Sequence, residues 1–236
     1  MNDINKIAED YHGSEFEDKF IEDESQFYTL NWLKSQLNKD DSVLEMGYGE
    51  GIVTNFLNNL NIYLDVVEGA KQLVEKATAR FSDISFIYSM FEDYKPNKKY
   101  DVILCTHVLE HVNDPVEILK LMRSWLSENG KIVVIVPNAE SIHRQLSVIM
   151  GIQDRLDNLS KRDLLVGHQR VYDYELLENH ISQANLKIKE KKGFFLKTLP
   201  NSMMLKFDIK LIKALNSISE KLPFNILANL AYVITK

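Results

Sequence analysis

Short apolar runs alternate with helical repeats along most of the chain. The runs are rich in Val, Ile, Leu and Tyr, which is typical of strands buried on both faces. They predict strands at 42–46, 62–67, 84–88, 100–105, 131–136, 186–194 and 228–234. Because helical segments connect the first five, the pattern predicts a parallel, doubly wound α/β sheet. Ligands of such sheets bind beyond the carboxyl ends of the strands.

The clearest helix lies in "NDPVEILKLMRSWLSENG". Asp114 is the predicted N-cap, Pro115 the first helical residue, Glu117 the partner in a capping box and Gly130 the closing residue. Another helix is predicted at 24–37, where apolar residues recur at helical spacing. Both helices would flank the sheet.

Composition and charge narrow the function classes. The chain has 236 residues and a formal net charge of -6, and residues 1–24 contain nine acids against two lysines. Such an acidic region disfavours a nucleic-acid partner. Cys105 is the one cysteine, so no internal disulfide can form, and no apolar run approaches the roughly 20 residues of a membrane helix. We expect a cytoplasmic protein that binds neither nucleic acid nor membrane.

Three glycines follow the first predicted strand: Gly47, Gly49 and Gly51. A dinucleotide fingerprint would place the third glycine at position 52, which is Ile52, and no Gly-Lys-Ser/Thr follows as in a phosphate-binding P-loop. The pattern that remains is acid-x-G-x-G-x-G, written here as "EMGYGEG" and beginning at Glu45.

This pattern resembles motif I of class I S-adenosylmethionine-dependent methyltransferases, although the family usually has Asp where this chain has Glu45 and often has Cys or Ser where it has Tyr48. The resemblance continues in "CTHVLEHVNDP", which is similar to the strand 4 segment of the small-molecule, sugar- or quinone-type subgroup. Together the segments that resemble the family's motifs cover residues 42–136, in the same order as in the family.

The resemblance implies S-adenosylmethionine as cofactor, S-adenosylhomocysteine as product and no metal. Glu68, at the end of strand 2, would accept hydrogen bonds from the two ribose hydroxyls. Main-chain groups of Met90 and Phe91 would meet the adenine, where the family usually has Gly-Asp. The implied cofactor-binding residues are Tyr11, Glu45, Gly47, Tyr48, Gly49, Glu68, Gly69, Met90, Phe91, Thr106 and His107.

The resemblance also implies a Rossmann-like, doubly wound, seven-stranded sheet that is mostly parallel with its last strand antiparallel. We expect a single domain, 1–236, with an N-terminal helical cover at 1–40, a cofactor-binding core at 41–136 and an acceptor-side half with helical inserts at 137–236. The amphipathic segment 202–222 is interpreted as core packing or a homodimer surface, with a lid as the alternative.

Side chains that can donate hydrogen bonds or accept protons are frequent after the fifth strand. They are the candidates for binding and activating the methyl acceptor. The predicted catalytic residues are His168, His143 and Arg170, and the predicted substrate-binding residues are Asn138, Arg144 and Tyr172. In an alternative of nearly equal weight, His168 and Arg170 only hold their own segment, the helical insert after the fifth strand, in place through hydrogen bonds. His111 is interpreted as a capping or packing residue.

The sequence therefore predicts methyl transfer to a small-molecule acceptor, at oxygen rather than nitrogen. Arg144 and Arg170 favour a sugar, phosphorylated or otherwise anionic substrate. A methyltransferase acting on protein or RNA is an alternative, but the strand 4 end lacks the Asn/Asp-Pro-Pro-aromatic turn that grips a planar nitrogen. A non-catalytic cofactor-binding protein is the other alternative.

Overall fold

The computed structural model describes residues 17–236, and their strands form one seven-stranded sheet in the order β3-β2-β1-β4-β5-β7-β6. The strands are β1 (Ser42–Met46), β2 (Tyr63–Glu68), β3 (Ser85–Tyr88), β4 (Tyr100–Thr106), β5 (Leu126–Pro137), β6 (Lys187–Phe194) and β7 (Asn229–Thr235). Only β7 runs against its neighbours β5 and β6. The predicted Rossmann-like sheet, with its last strand antiparallel, is confirmed.

The order of the strands places a crevice at the centre of the sheet. From β1 the chain winds outward through β2 to β3, and it then returns to β4 on the other side of β1 and continues to β5. This reversal between β1 and β4 is the topological switch point at which ligands of doubly wound sheets bind. The residues that follow β1 and β4 are therefore placed for function.

Helices cover both faces of the sheet. They are α1 (Lys19–Ser35), α2 (Ile52–Leu57), α3 (Lys71–Arg80), α4 (Pro115–Trp125), α5 (Ile142–Ile149), α6 (Lys161–Leu165), α7 (Tyr174–Gln183), α8 (Asn201–Met204) and α9 (Ile209–Ile218). Alternate residues of the central strands point to opposite faces. Leu44 packs with α4 and α7 in one core cluster, whereas Val43 packs with α1 and α2 in another.

Helix α4 begins as predicted but ends earlier. The Asp114 carboxylate accepts a hydrogen bond from the Glu117 N–H at 3.0 Å. The helix stops at Trp125, because Leu126 pairs with Tyr100 as a strand residue. Gly130 closes no helix, so that prediction is wrong. A Cβ at Gly130 would lie 2.8 Å from the Tyr100 carbonyl oxygen, and the glycine is needed for this close approach.

The amphipathic segment 202–222 is divided into two helices. Asp208 caps α9 by accepting a hydrogen bond from the Lys210 N–H at 2.7 Å. Met204 and Ile212 are buried in a cluster with Ile21 of α1, so one face of the segment packs into the core. No helix in residues 17–236 is long and apolar enough to cross a membrane.

Candidate active site

A continuous cleft of about 1880 Å³ opens at the carboxyl ends of the strands. It extends from the glycine loop and the end of β2, past the end of β4, to residues of α1, α5 and α6. Single ligand sites usually measure about 300–1,000 Å³. The cleft is therefore large enough to hold a cofactor and a second ligand side by side.

The glycine loop presents bare main chain to this cleft. Gly49 has φ +52°, and a Cβ at this position would meet no atom within 4 Å, so the side of the loop that faces the cleft is open. Gly51 has φ +72°, and a Cβ there would lie 2.5–2.7 Å from the Tyr48 ring. Tyr48 is 4% exposed and packs edge-on against Phe86, so it offers the cleft main chain rather than its ring.

Glu68 joins the end of β2 to the glycine loop. Its two carboxylate oxygens accept hydrogen bonds from the N–H groups of Tyr48 and Ala70, at 2.8 and 2.7 Å. A carboxylate has about four acceptor sites, so these bonds leave capacity for two hydroxyl donors. Glu68 also lines the cleft. This is the arrangement that a ribose diol requires, and it fits the nucleoside part of S-adenosylmethionine.

Glu45 lies at the end of β1 and is 2% exposed. It accepts a hydrogen bond from the Thr54 hydroxyl at 2.7 Å. Burial, together with the neighbouring Glu68 charge, raises the pKa of Glu45 to about 8 despite this bond. The Glu45 carboxyl therefore holds a proton at neutral pH, and it can donate as well as accept a hydrogen bond at the base of the cleft.

The end of β4 carries Thr106 and His107, which both line the cleft. His107 has φ +55°, and its N–H donates to the Ile135 carbonyl at 2.8 Å. Its Nδ1 lies 3.3 Å from a carboxylate oxygen of Glu110, which is completely buried. Burial alone would raise the pKa of Glu110, but the nearby His107, His111 and His168 lower it. Glu110 is a buried anion that sequence inspection missed.

Glu110 belongs to a cluster with two histidines. The rings of His111 and His168 meet edge to face at 4.6 Å, and Nδ1 of His168 lies 3.0 Å from Asp163 Oδ1. Ligand atoms of Glu110, His111 and His168 lie within 4.8 Å of one another, which gives this group the chemistry to hold a metal ion. His111, interpreted from the sequence as a packing residue, thus borders the same cleft.

Arg170 is used inside the protein. Its Nη1 donates to the Leu109 and Val112 carbonyls at 2.8 and 2.5 Å, and its Nη2 donates to the Asn113 carbonyl at 3.2 Å. These bonds fasten the insert to the β4–α4 connection, and Arg170 does not line the cleft. These contacts favour the structural alternative for Arg170, and its catalytic role stays a prediction.

Arg144 is likewise engaged within the protein. Its guanidinium donates to the Leu156 and Asn158 carbonyls, at 3.0 and 2.9 Å, and pairs with Asp163 at 2.9 Å. It borders the cleft, but these partners occupy both Nη atoms. Arg144 and Arg170 therefore give no support to an anionic substrate.

Asn138, which follows β5, and Tyr172, which precedes α7, pair with each other in an isolated β-bridge. The Asn138 amide donates to the Asn225 and Leu227 carbonyls, both at 2.7 Å, although its residue borders the cleft. Tyr172 is fully buried, bonds to His180 Nδ1 at 3.2 Å and does not line the cleft. Their polar groups are used internally, which favours a structural role, and their role in substrate binding stays a prediction.

The other predicted residues differ in whether they line the cleft. Met90 and Phe91 follow β3 and line the cleft, as do Gly47, His143 and His168, whereas Gly69 lies outside its lining. Tyr11 lies outside the described residues. The structure thus brings most of the predicted cofactor residues to one surface.

Two further groups define the far side of the cleft. The Nδ1 atom of His143 is enclosed and has no hydrogen-bond partner within residues 17–236. Burial and the charges of Lys197 and Arg144 lower its pKa well below the usual range, so the ring is neutral. Lys197 lines the cleft beside it and was missed in the sequence. A single lysine in the apolar stretch "FFLKTLP" was the available signal.

A family model described as a methyltransferase domain matches residues 18–191. This range is more than half of the chain and contains the glycine loop, Glu68 and the end of β4. The chain belongs to this methyltransferase family. It is an S-adenosylmethionine-dependent enzyme, and the open glycine loop and the free acceptor capacity of Glu68 fit that cofactor.

Among relatives, a ubiquinone biosynthesis O-methyltransferase from Actinobacillus pleuropneumoniae serotype 7 is 25% identical over 192 residues, covering 76% of this chain and 81% of the relative. Two solved methyltransferases share the fold. One, from Mesorhizobium loti, has a TM-score of 0.64 at 13% identity and covers 89% of this chain and 98% of its own. The magnesium protoporphyrin IX methyltransferase of Synechocystis, with bound S-adenosylhomocysteine, has 0.62 at 12%, covering 94% and 88%.

Proposed function

We propose that this methyltransferase transfers the methyl group of S-adenosylmethionine to a hydroxyl oxygen of a small-molecule acceptor. One observation carries the proposal. A single cleft joins the glycine loop and Glu68, which suit the nucleoside, to His143 and His168, which suit a hydroxyl. The name of the relative from Actinobacillus, an O-methyltransferase, supports oxygen as the acceptor atom.

Residues at the strand ends would hold the cofactor. Glu68 would accept the ribose hydroxyls, the main chain at Gly49 would allow close approach, and Thr106 with His107 would border the methionine end. The cofactor supplies an electrophilic methyl on a sulfonium. The protein then has to hold an acceptor lone pair in line with that methyl and exclude water from it.

The acidic residues beside the cleft support a small acceptor. Residues of α1 and α6 form its outer wall, where Arg162 pairs with Asp18 and, at 2.7 Å, with Glu22. Both carboxylates belong to the acidic N-terminal region, which would repel a nucleic-acid backbone. A protein or RNA acceptor is therefore the weaker candidate.

The experiment is methyl transfer from labelled cofactor into a cell extract that has been divided into small-molecule, protein and RNA fractions. We expect the label in the small-molecule fraction, and mass spectrometry should locate it on oxygen. Label in protein or RNA, or on nitrogen, would contradict the proposal. Binding of S-adenosylhomocysteine by calorimetry without any transfer would favour a non-catalytic binding protein.

A further inference from the structure

We infer that Lys197 and His143 form the subsite for the acceptor oxygen, and that the acceptor is a weakly acidic, phenol-type hydroxyl that reacts as its oxyanion beside Lys197. This inference rests on the proposed function and deepens it. It names a cation that neither the motifs nor the family pattern assigned, and it selects phenols from among the small-molecule hydroxyls.

Several residues that line the cleft carry a buried polar atom without a partner. The atoms Ser25 Oγ, His143 Nδ1 and Asn201 Oδ1 are enclosed and have no hydrogen-bond partner in the described part of the chain. All three residues line the cleft, as Lys197 does. Since more than about 90% of buried polar groups in proteins are paired, these unpaired atoms indicate a place where a polar ligand completes the bonding.

The charged groups around Lys197 are paired with one another and not with it. On α6, Arg162 pairs with Asp18, the N-cap of α1, and with Glu22 of α1. On α5, Arg144 pairs with Asp163. Lys197 forms no salt bridge with a carboxylate of residues 17–236.

Within residues 17–236 no carboxylate pairs with the Lys197 ammonium, which leaves it available to a ligand in the cleft. Burial lowers the pKa of Lys197, as do the Arg162 and Arg144 charges, whereas Glu22 and Asp18 oppose that change. An oxyanion at this position would regain the electrostatic stabilisation that burial removes from the ammonium.

His143 is a neutral base but a weak one, because its pKa is lowered by burial and by the Lys197 charge. A weak base can take a proton only from a hydroxyl that is already acidic. Phenols meet this condition when a cation lies beside the oxygen, whereas aliphatic hydroxyls are far less acidic. The pairing of a cation with a weak base therefore selects the phenol class.

The step balances within the site. The acceptor O–H bond breaks, and its proton passes to a ring nitrogen of His143. The oxygen electron pair forms the new O–CH₃ bond. The S–CH₃ bond breaks, and its electron pair stays on sulfur, which neutralises the sulfonium and leaves S-adenosylhomocysteine. Lys197 keeps its proton throughout and stabilises the oxyanion until the methyl group arrives.

The test uses 4-nitrophenol as the probe, because its anion is coloured and its ionisation can be followed without turnover. The full chain is saturated with S-adenosylhomocysteine and titrated with the probe across pH. We expect the apparent pKa of bound nitrophenol to fall by about one unit, which is a tenfold preference for the anion. In Lys197→Met this shift should disappear, whereas Lys197→Arg should retain most of it.

Lys206→Met is the matched control, since Lys206 is an exposed lysine outside the cleft lining. It should keep the shift. Calorimetry of S-adenosylhomocysteine separates the two proposals: failure to bind it contradicts the proposed function itself. A protein that binds it but does not bind nitrophenol, shows no shift, or keeps the shift in Lys197→Met overturns the Lys197 subsite.

A second variant tests the proton acceptor. His143→Gln should lower kcat for nitrophenol methylation about tenfold at a pH below the ionisation of the probe, with little change in KM. The loss should vanish at a pH at which the probe is already ionised, because no proton then has to be removed. A loss that is equal at both pH values would show a merely structural role for His143 and contradict the inference.

Discussion

The main-chain N–H of Tyr48 donates to the Glu68 carboxylate across 2.8 Å. The acid that is proposed to bind the ribose therefore also holds the glycine loop in place. Cofactor contact and loop geometry depend on one side chain, and changes at Glu68 should affect both.

Replacing Glu68 with Gln should weaken S-adenosylhomocysteine binding by about tenfold to a hundredfold. The amide supplies one acceptor oxygen where the carboxylate supplies two, and hydrogen bonds to charged groups contribute about 1.5–3 kcal/mol. Calorimetric titration measures the change. Glu75→Gln on α3 is the control, since Glu75 is exposed, lies outside the cleft lining and pairs with Lys71 at 3.7 Å. Equal affinity in the two variants would contradict the placement of Glu68.

Gly49 has a matched partner elsewhere in the chain. Gly49 and Gly151 have φ +52° and +69°, and a Cβ at either would meet no atom within 4 Å. Alanine at each should cost about 1–2 kcal/mol of unfolding free energy through left-handed strain. Only Gly49→Ala should also lose cofactor affinity, and Gly49→Glu should abolish it. Denaturant unfolding measures the loss of stability, and calorimetric titration of S-adenosylhomocysteine measures the loss of affinity. Equal affinity losses in the two variants would contradict a role of the Gly49 main chain in cofactor binding.

Glu45 should make the stability of the protein fall as pH rises. Its pKa is raised from 4.5 to about 8 in the folded protein, so the folded state binds a proton more tightly than the unfolded state does. The stabilisation is complete below pH 4.5 and is lost as pH rises through 8. Urea unfolding at pH 6 and pH 8.5 should show a smaller decrease for Glu45→Gln than for the unaltered chain. Identical decreases would mean that Glu45 is already ionised.

His168→Ala should leave S-adenosylhomocysteine affinity within about twofold and lower turnover about tenfold or more. His168 lines the cleft, and its Nδ1 lies 3.0 Å from Asp163 Oδ1. Asp163 would keep its bonds to Arg144 and Ser160, so the insert should stay folded. Single-turnover rates and calorimetry test this. Turnover that is unchanged would assign His168 to the support of the insert alone.

Arg170→Lys should destabilise the protein by about 1–3 kcal/mol, because one ammonium cannot reach the three carbonyls that the guanidinium spans. Cofactor affinity should change little. Arg155→Lys is the matched control, since Arg155 is exposed and pairs with Asp157 on the surface. Urea unfolding of the two variants tests whether the hydrogen bonds of Arg170 stabilise the fold. A similar small effect in both variants would contradict this.

Much of the fold could be predicted because strand burial leaves a strong pattern. β1 was predicted at its observed bounds, and the other six strands were located within a few residues except for the start of β5. That start was missed because Leu126 is apolar at helical spacing and only its pairing with Tyr100 makes it a strand residue. Long-range pairing of this kind leaves no local signal.

The site was harder to predict than the fold, because the sequence shows which side chains can donate hydrogen bonds but not which groups accept them. Arg144 and Arg170 were correctly noticed as cations near the strand ends, but main-chain carbonyls more than ten residues away hold them. Glu110 was read only as part of the family pattern, although a charged residue at a fully buried position has an outsized electrostatic effect. Burial of single side chains has to be seen in three dimensions.

The lysine-rich β6 forms one margin of the sheet, because β7 inserts between it and β5. Its outward positions include Lys187, Lys189 and Lys191, which are exposed. A free strand margin is a template on which a second chain can add, and closely spaced like charges repel such an addition. The charge pattern of β6 therefore protects the molecule from growth into fibrils at this side.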